Sequence, residues 1–224
     1  MERRFNFSIG EYYHIYTRGV EKRKIFSRDK DYERFINLLY VSNNKSTIHL
    51  SNFTKFDYKD FFAIERPETL VDIGSYCLMP NHFHLLVKEK VNCGISKFMG
   101  KLLTGYSMYF NIRNHRSGPL FVRPFRARYA DSDRYLKYLF AYINLNAIDI
   151  FLPGWSDNSE VLKNFDSNFL GKYKYSSYQD FLGIKRPENV ILNKKEFPEY
   201  FQTKAEFDTF LNECLSYKSE IEAK

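Results

Sequence analysis

Hydrophobic and polar residues repeat with two different periods along the first part of the chain, and the change of period predicts its elements. Residues 11–18 are rich in aromatic and β-branched side chains and predict a strand that ends at Gly19. Beyond the cap-type residues at 27–29, apolar side chains recur every three or four positions to about Ser42, which predicts a helix. Residues 43–68 are polar, aromatic and aperiodic, and they predict an insertion or long loop.

The middle of the chain continues with two strands, a helix and a further strand. The strands are predicted at 70–77 and 82–90, joined by a Met-Pro-Asn turn. Apolar positions on one helical face follow Gly94 and end before the breaker Ser-Gly-Pro at 117–119. Residues 120–130 predict a fourth strand, and Pro124 inside it indicates an edge position or a bulge because proline donates no ladder hydrogen bond.

The order of these elements predicts an α+β fold. A further helix, capped by residues 131–133, follows the fourth strand. Strand, helix, strand, strand, helix, strand is the split βαβ pattern of ferredoxin-like (RRM-like) domains, with an antiparallel sheet and helices on one face. We predict a catalytic domain over 1–154, with 43–68 as its insertion, and a helical C-terminal extension over 155–224 that packs on it.

Composition and charge add a polyanionic partner to this picture. The net charge is +7 with a pI near 9.1, and 18 Tyr and 22 Phe are interleaved with Arg and Lys. Cations pair with phosphates and rings stack on bases, so this composition favours a nucleic-acid partner. Three cysteines without a C-x-x-C spacing suit a reducing, bacterial-type cytoplasm, and the chain lacks any long apolar segment that would indicate a membrane protein.

Two histidines in the third predicted strand carry the first candidate chemistry. His82 and His84 flank Phe83, and because side chains alternate along a strand, both imidazoles face one side while Phe83 faces the other. Paired imidazoles are half of a metal site. A His-x-His sequence alone is usually incidental, so a metal role depends on what else the fold brings to that face.

The helix after the fourth strand supplies the missing groups. Tyr135, Tyr138, Tyr142 and Asn146 are spaced by three or four residues and form one ridge beside the apolar stripe. If this helix lies across the strand of His82 and His84, a phenol and an amide oxygen meet two imidazoles. Such a set can hold a divalent cation, which would polarise a phosphodiester for attack by a tyrosine.

These segments resemble the single-tyrosine (HUH) transposases, and within them the REP-associated tyrosine transposases and their insertion-sequence-200-like relatives. The resemblance rests on Met-Pro-Asn-His-Phe-His at 79–84 and Tyr-Ile-Asn-Leu-Asn at 142–146. Residues 13–19 resemble the opening strand of that family, and 175–178 resemble a recurrent motif of its tail.

The resemblance implies a function and a set of site residues. It implies a DNA transposase that cuts single-stranded or hairpin-forming DNA, uses Mg²⁺ or Mn²⁺, and leaves a 5′-phosphotyrosine. Tyr142 would be the nucleophile, with His82, His84 and Asn146 as metal ligands; Tyr138, one turn earlier, is the alternative nucleophile. Some relatives are dimers that exchange tyrosine helices whereas REP-associated ones are monomeric, so both a monomer and a homodimer are compatible with the sequence.

Basic residues around the fourth strand predict the DNA contacts, and a second function stays open. The predicted DNA-binding residues are Arg113, Arg116, Arg123, Arg126 and Arg128, with Lys174 and Tyr178 in the tail. His14, His49 and His115 are interpreted as ordinary polar or surface residues. The alternative function is a non-catalytic, domesticated module that binds hairpin DNA or RNA on the same sheet scaffold.

Overall fold

A computed structural model describes residues 6–154, 168–201, 203, 205–207 and 209–210 of the chain. Its strands are β1 (Tyr12–Arg18), β2 (Val71–Met79), β3 (His82–Glu89) and β4 (Arg126–Tyr129), and its helices are α1 (Asp29–Ser42), α2 (Gly94–Arg113), α3 (Asp133–Leu145), α4 (Asn168–Lys172) and α5 (Tyr178–Phe181). The strands form one antiparallel sheet in the order β2-β3-β1-β4. The predicted α+β fold with an antiparallel sheet is confirmed.

One face of this sheet is closed by two helices. Alternate residues of β1 and β3, among them Ile15, Phe83 and Leu85, are fully buried in a core with α1 and α2. We call this the closed face. It follows from strand periodicity, since the apolar half of each strand points to the same side and the amphipathic helices cover it.

The opposite face carries α3, which corrects the prediction that the helices lie on one face. A second core joins Cys77, Met79 and Leu86 of the sheet to the apolar stripe of α3. We call this the cleft face; it also carries His14, Tyr16, His82 and His84. Strand alternation explains the correction, because a helix that reaches His82 and His84 must cover the face opposite Phe83.

The two edges of the sheet are treated differently. β4 is short and lies at one edge, which is one of the two alternatives, an edge position or a bulge, that Pro124 indicated. Regular pairing covers only Arg126–Tyr129 of the predicted 120–130. The other edge, β2, is covered by the tail: Leu78 N donates to Tyr175 O, and Ser177 N donates to Tyr76 O. The tail thus covers this edge of the sheet, and β2 is buried along its whole length.

The segment 43–68 is an ordered excursion and not a bare loop. It contains short 3₁₀ turns at Leu50–Asn52 and Asp60–Ala63, and Phe61 and Phe62 are buried. Asn43 fastens its base, since its amide donates to Val71 O and accepts from the backbone N–H groups of Leu70 and Val71.

The tail packs on both cores where it is described. Tyr175 and Ile191 join the closed-face core, whereas Leu170, Tyr178 and Phe207 join the core under α3. The predicted C-terminal extension lies only partly within the described residues, since 155–167 and 211–224 fall outside them. Within the described parts of the chain, every helix is too short or too polar to cross a lipid bilayer.

Candidate active site

A cleft of about 540 Å³ opens where α3 crosses the strands β1 and β3. Its wall includes Tyr16, Arg18, His82 and His84 from the sheet and Tyr142 and Asn146 from the helix region. The register explains this grouping. Tyr16 is paired with His84 and Arg18 with His82, and directly opposed residues of an antiparallel pair point to the same face.

Each of the two cleft histidines is held through its Nδ1 atom. Nδ1 of His82 lies 2.6 Å from Oδ1 of Asn81, in the turn that joins β2 to β3. Nδ1 of His84 lies 2.8 Å from Nε2 of His14 on β1. With both Nδ1 atoms engaged, Nε2 is the remaining ring nitrogen of each histidine that can act as a ligand.

Burial keeps these imidazoles neutral. It lowers the pKa of His84 well below its ordinary value, with further lowering by His14 and His82. Burial also lowers the pKa of His82; Asp149 opposes this shift and Arg18 adds to it. The pKa of His14 falls to about 3, because of burial first and Arg128 second. Neutral imidazole is the form that binds metal ions, so the electrostatics suit ligation at neutral pH.

Tyr142 lies over the histidines from α3. Its ring is edge-on to His84 and to His14, with centroid separations of 5.8 Å in both cases. Tyr138, the alternative nucleophile, stacks on Tyr142 at 5.6 Å but is only 8 % exposed and belongs to the core under α3. Of the two phenols, Tyr142 is the one that lines the cleft.

Three features fix the helix that carries Tyr142. Ser132 caps its first turn by accepting a hydrogen bond from Tyr135 N, and its apolar stripe packs on the sheet. Inside that packing, the Ser177 hydroxyl donates to Oδ1 of Asn144 at 2.8 Å and lies 2.9 Å from the Ser75 hydroxyl of β2. The tail residue therefore joins helix to sheet within one chain.

Asn146 is the third predicted ligand, and it sits where α3 ends. Its Nδ2 donates to Tyr142 O at 2.6 Å. The amide oxygen is therefore the atom of Asn146 that could coordinate a metal ion. Among the described residues, no group of three or more His, Cys, Asp and Glu side chains could hold a metal ion. Asn146 lines the cleft and offers an amide oxygen beside the two histidines.

His14 is the main residue that the sequence interpretation missed. The sequence predicts an ordinary polar or surface residue, whereas His14 is 5 % exposed and contacts both His84 and Tyr142. The signal was present in the alternation of β1, where His14 shares a face with Tyr16 and Arg18. It becomes visible only when β1 is placed beside β3.

The charge in the cleft is mainly positive, from residues that were mostly not predicted. Arg18, Lys22 and Arg126 line it together with one carboxylate, Asp149. Of the predicted DNA-binding residues only Arg126 is among the lining residues; Arg123 is exposed and precedes the lining residue Pro124. Arg128 lies on the same strand, and a hydrogen bond to Tyr135 raises its pKa.

Four other predicted DNA-binding residues lie elsewhere. Arg113 pairs with the fully buried Asp31 beside the closed-face core, and Arg116 bonds to Asn111 and to Pro119 O. Lys174 pairs with Asp29 at 2.8 Å. Tyr178 is only 2 % exposed and belongs to the core under α3. Packing and ion pairing occupy these side chains, and none of the four lines the cleft.

A family model and a solved structure are similar to this chain. A family model described as "Transposase IS200 like" matches residues 9–146, more than half of the chain, and so spans the sheet from before β1 to Asn146. A solved structure of a REP-associated tyrosine transposase bound to a REP hairpin aligns with a TM-score of 0.49 at 10 % identity, covering 84 % of this chain and 90 % of that chain. No curated protein sequence matches. The chain belongs to the family of IS200-like transposases.

Proposed function

We propose that this chain cuts and rejoins single-stranded DNA at the cleft, with Tyr142 as the nucleophile and with a hairpin of the REP type as its recognised substrate. The observation that carries the proposal is the position of Tyr142, edge-on to His84 in a cleft lined by three cations. Family membership supports the DNA-processing part of the proposal. The identity of the nucleophile rests on the geometry.

The reaction is a transesterification that needs no further reactant. The Tyr142 phenol oxygen attacks the phosphorus, the bond from phosphorus to O3′ breaks, and the released O3′ takes a proton. The product is a 5′-phosphotyrosine and a free 3′-hydroxyl, and attack by a 3′-hydroxyl on that phosphotyrosine rejoins a strand. Two successive phosphodiester exchanges conserve the bond energy, so no nucleotide cofactor is required.

The donor set fits a divalent metal ion, and we propose His82, His84 and Asn146 as its protein ligands. Two neutral imidazoles with fixed Nδ1 atoms leave two nitrogen donors, and Asn146 adds an oxygen. A Mg²⁺ or Mn²⁺ ion there would supply Lewis-acid polarisation of the phosphodiester. His82 and His84 contribute by staying neutral, and the packing of α3 contributes by holding the phenol close to them.

The basic rim has a separate role, which is to bind and orient the DNA backbone. Arg18, Lys22 and Arg126 line the cleft. Cations along a groove neutralise successive phosphates, which favours binding of a single strand through its backbone. Tyr142 and His84 belong to one chain, and the Ser177 bond fixes α3 to its own sheet, so we propose that a monomer has a complete site.

The test is a covalent-adduct assay. Hairpin DNA with a single-stranded flank and a 3′ label is incubated with protein and Mn²⁺, and the products are separated under denaturing conditions. The wild-type protein should retain the 3′-labelled fragment, because the downstream strand carries the phosphotyrosine. Tyr142→Phe should lose the adduct completely, whereas the matched control Tyr138→Phe should form it.

The outcomes separate the alternatives. An adduct with Tyr142→Phe and none with Tyr138→Phe would transfer the nucleophile role to Tyr138. Retention of the 5′-labelled fragment in place of the 3′-labelled one would overturn the proposed polarity. Tight hairpin binding by wild type without any adduct would instead identify a domesticated hairpin-binding module.

A further inference from the structure

The buried pair formed by His14 and His84 is not explained by the roles assigned so far. Nε2 of His14 lies 2.8 Å from Nδ1 of His84, and both side chains are almost fully buried. The His14 ring is itself held by a stacked contact with Tyr16, at a centroid separation of 4.9 Å. Its position is therefore set by β1, independently of the turn that orients His82.

The two proposed histidine ligands have different partners at Nδ1. Asn81 presents an amide oxygen to His82, and that oxygen can only accept a hydrogen bond, so Nδ1 of His82 must carry the proton. His14 presents a ring nitrogen to His84, and a neutral ring nitrogen can either donate or accept. Nε2 of His84 has a lone pair for a metal ion only when Nδ1 carries the proton and Nε2 of His14 accepts it.

We propose that His14 is a positioning residue: its Nε2 accepts the Nδ1 proton of His84 and thereby fixes both the tautomer and the ring orientation that His84 needs to bind a metal ion. This inference rests on the proposed metal role of His82 and His84. His14 does not touch the metal ion in this arrangement, because its Nε2 is occupied by His84. His14 on β1 thus has the same function for His84 as Asn81 has for His82, which is to accept the Nδ1 proton.

The experiment measures binding of Mn²⁺ alone, without DNA, by the electron paramagnetic resonance of the free ion. His14→Phe keeps an aromatic ring beside Tyr16 but has no acceptor, and it should weaken Mn²⁺ binding about 10- to 100-fold. His14→Gln keeps a polar group that reaches a similar position and should retain most of the affinity. If Phe is not accommodated and the protein fails to fold, His14→Leu, which also lacks an acceptor, takes its place.

A control and two further readouts separate positioning from packing. Tyr13→Phe removes a hydroxyl from the neighbouring buried position on the closed face, and its Mn²⁺ affinity should equal that of wild type. Hairpin binding in EDTA should be unchanged in every variant. Nitrogen-15 spectra of the imidazoles should show the proton on Nδ1 of His84 in wild type and a mixture of tautomers in His14→Phe.

Each outcome bears on a different statement. Equal Mn²⁺ affinity of wild type and His14→Phe would overturn the role of His14 while leaving the proposed metal site intact. Three coordinating nitrogens in the spin-echo spectrum of bound Mn²⁺, where we expect two, would make His14 a ligand and overturn positioning. No Mn²⁺ binding by wild type would instead remove the metal from the proposed function, and with it this inference.

Discussion

The two faces of the sheet differ in the side chains that the same strands place on them. On the closed face, Ile15, Phe83 and Leu85 are fully buried against α1 and α2. On the cleft face, the alternate positions His14, His82 and His84 are polar and stand beneath a single helix. Because a strand has a period of two, one residue can pack in the apolar core while its neighbour faces the polar cleft.

The difference also explains how polar groups can be buried near the cleft. The closed face supplies most of the apolar burial, and the cleft face replaces part of it by hydrogen-bonded pairs: His14 with His84, His82 with Asn81, and Ser177 with Asn144. Buried polar groups cost stability unless they are paired. Specific hydrogen bonds thus contribute to the packing of the cleft face, whereas the closed face is stabilised mainly by the burial of apolar side chains.

The strongest test of this contrast replaces two neighbouring residues of β3 by alanine, one at a time. Phe83→Ala removes a fully buried ring from the closed face and should lower the free energy of unfolding by about 4 kcal/mol, through lost transfer energy and a cavity. His84→Ala should cost clearly less stability and should abolish Mn²⁺ binding and the DNA adduct. Chemical denaturation of both variants measures the first effect, and the adduct assay measures the second.

Equal destabilisation by the two substitutions would remove the contrast between the faces. Phe83→Leu is the matched control for the first variant, because it keeps most of the apolar volume. We expect it to recover most of the lost stability.

The contrast shows how far the sequence alone could lead. The strands, the three long helices and the edge position of β4 followed from local periodicity and from Pro124, and the structure confirms them. The predicted meeting of Tyr142 with His84 is also observed. The roles of those residues remain predictions.

What the sequence could not reveal depends on contacts between distant segments. The contact of His14 with His84 depends on the register of β1 against β3, which no local pattern encodes. The ion pair of Arg113 could not be predicted either, because its partner Asp31 is 82 positions away in the sequence. The placement of α3 on the face opposite α1 and α2 follows from the alternation of β3 only when the helix is required to reach His82 and His84, which face away from Phe83.

The second prediction compares one arginine from each face. Arg113→Ala leaves the fully buried Asp31 carboxylate with the more distant Arg28, at 3.5 Å, as its cationic partner, and we expect a loss of about 2–3 kcal/mol in unfolding free energy. Its affinity for hairpin DNA should be unchanged. Arg126→Ala should leave stability unchanged, weaken DNA binding, and reduce the slope of log affinity against log salt by about 0.7.

Denaturation curves and salt-dependent binding of both variants measure these quantities. If Arg113→Ala binds DNA more weakly at temperatures where it is fully folded, the DNA interface extends to the closed face. In that case the two faces would share the substrate.

The third prediction concerns acid. The pKa of His14 is lowered to about 3 by burial and by Arg128, whereas in the unfolded chain it returns to about 6.5. The unfolded state then binds more protons, so the stabilisation is present above pH 6.5 and is lost as the pH falls toward 3. Between pH 7 and pH 5 His14 alone should lower the free energy of unfolding by about 2 kcal/mol.

His84 should add to this loss, because burial lowers its pKa as well. The closed-face carboxylate Asp31 should not contribute between pH 7 and pH 5: burial raises its pKa, but hydrogen bonds from Ser27, Arg113 and Tyr109 lower it below 3.8. His14→Gln removes one titrating group, so its stability should vary less across this range. Denaturation of wild type and variant at each pH provides the comparison, and parallel curves would contradict the assignment.

The smallest expected effect tests the joint between the two halves of the cleft face. Ser177→Ala removes the hydroxyl that donates to Asn144 and lies beside Ser75, and should cost about 1–2 kcal/mol because buried polar groups lose their partner. Among the described residues, the neighbouring Ser176→Ala breaks only hydrogen bonds of 3.4 Å or longer, and it should cost less. If the bond also holds Tyr142 over its own histidines, Ser177→Ala should lower the rate of adduct formation more than Ser176→Ala does. A loss of stability without that loss of rate would show that apolar packing alone positions α3.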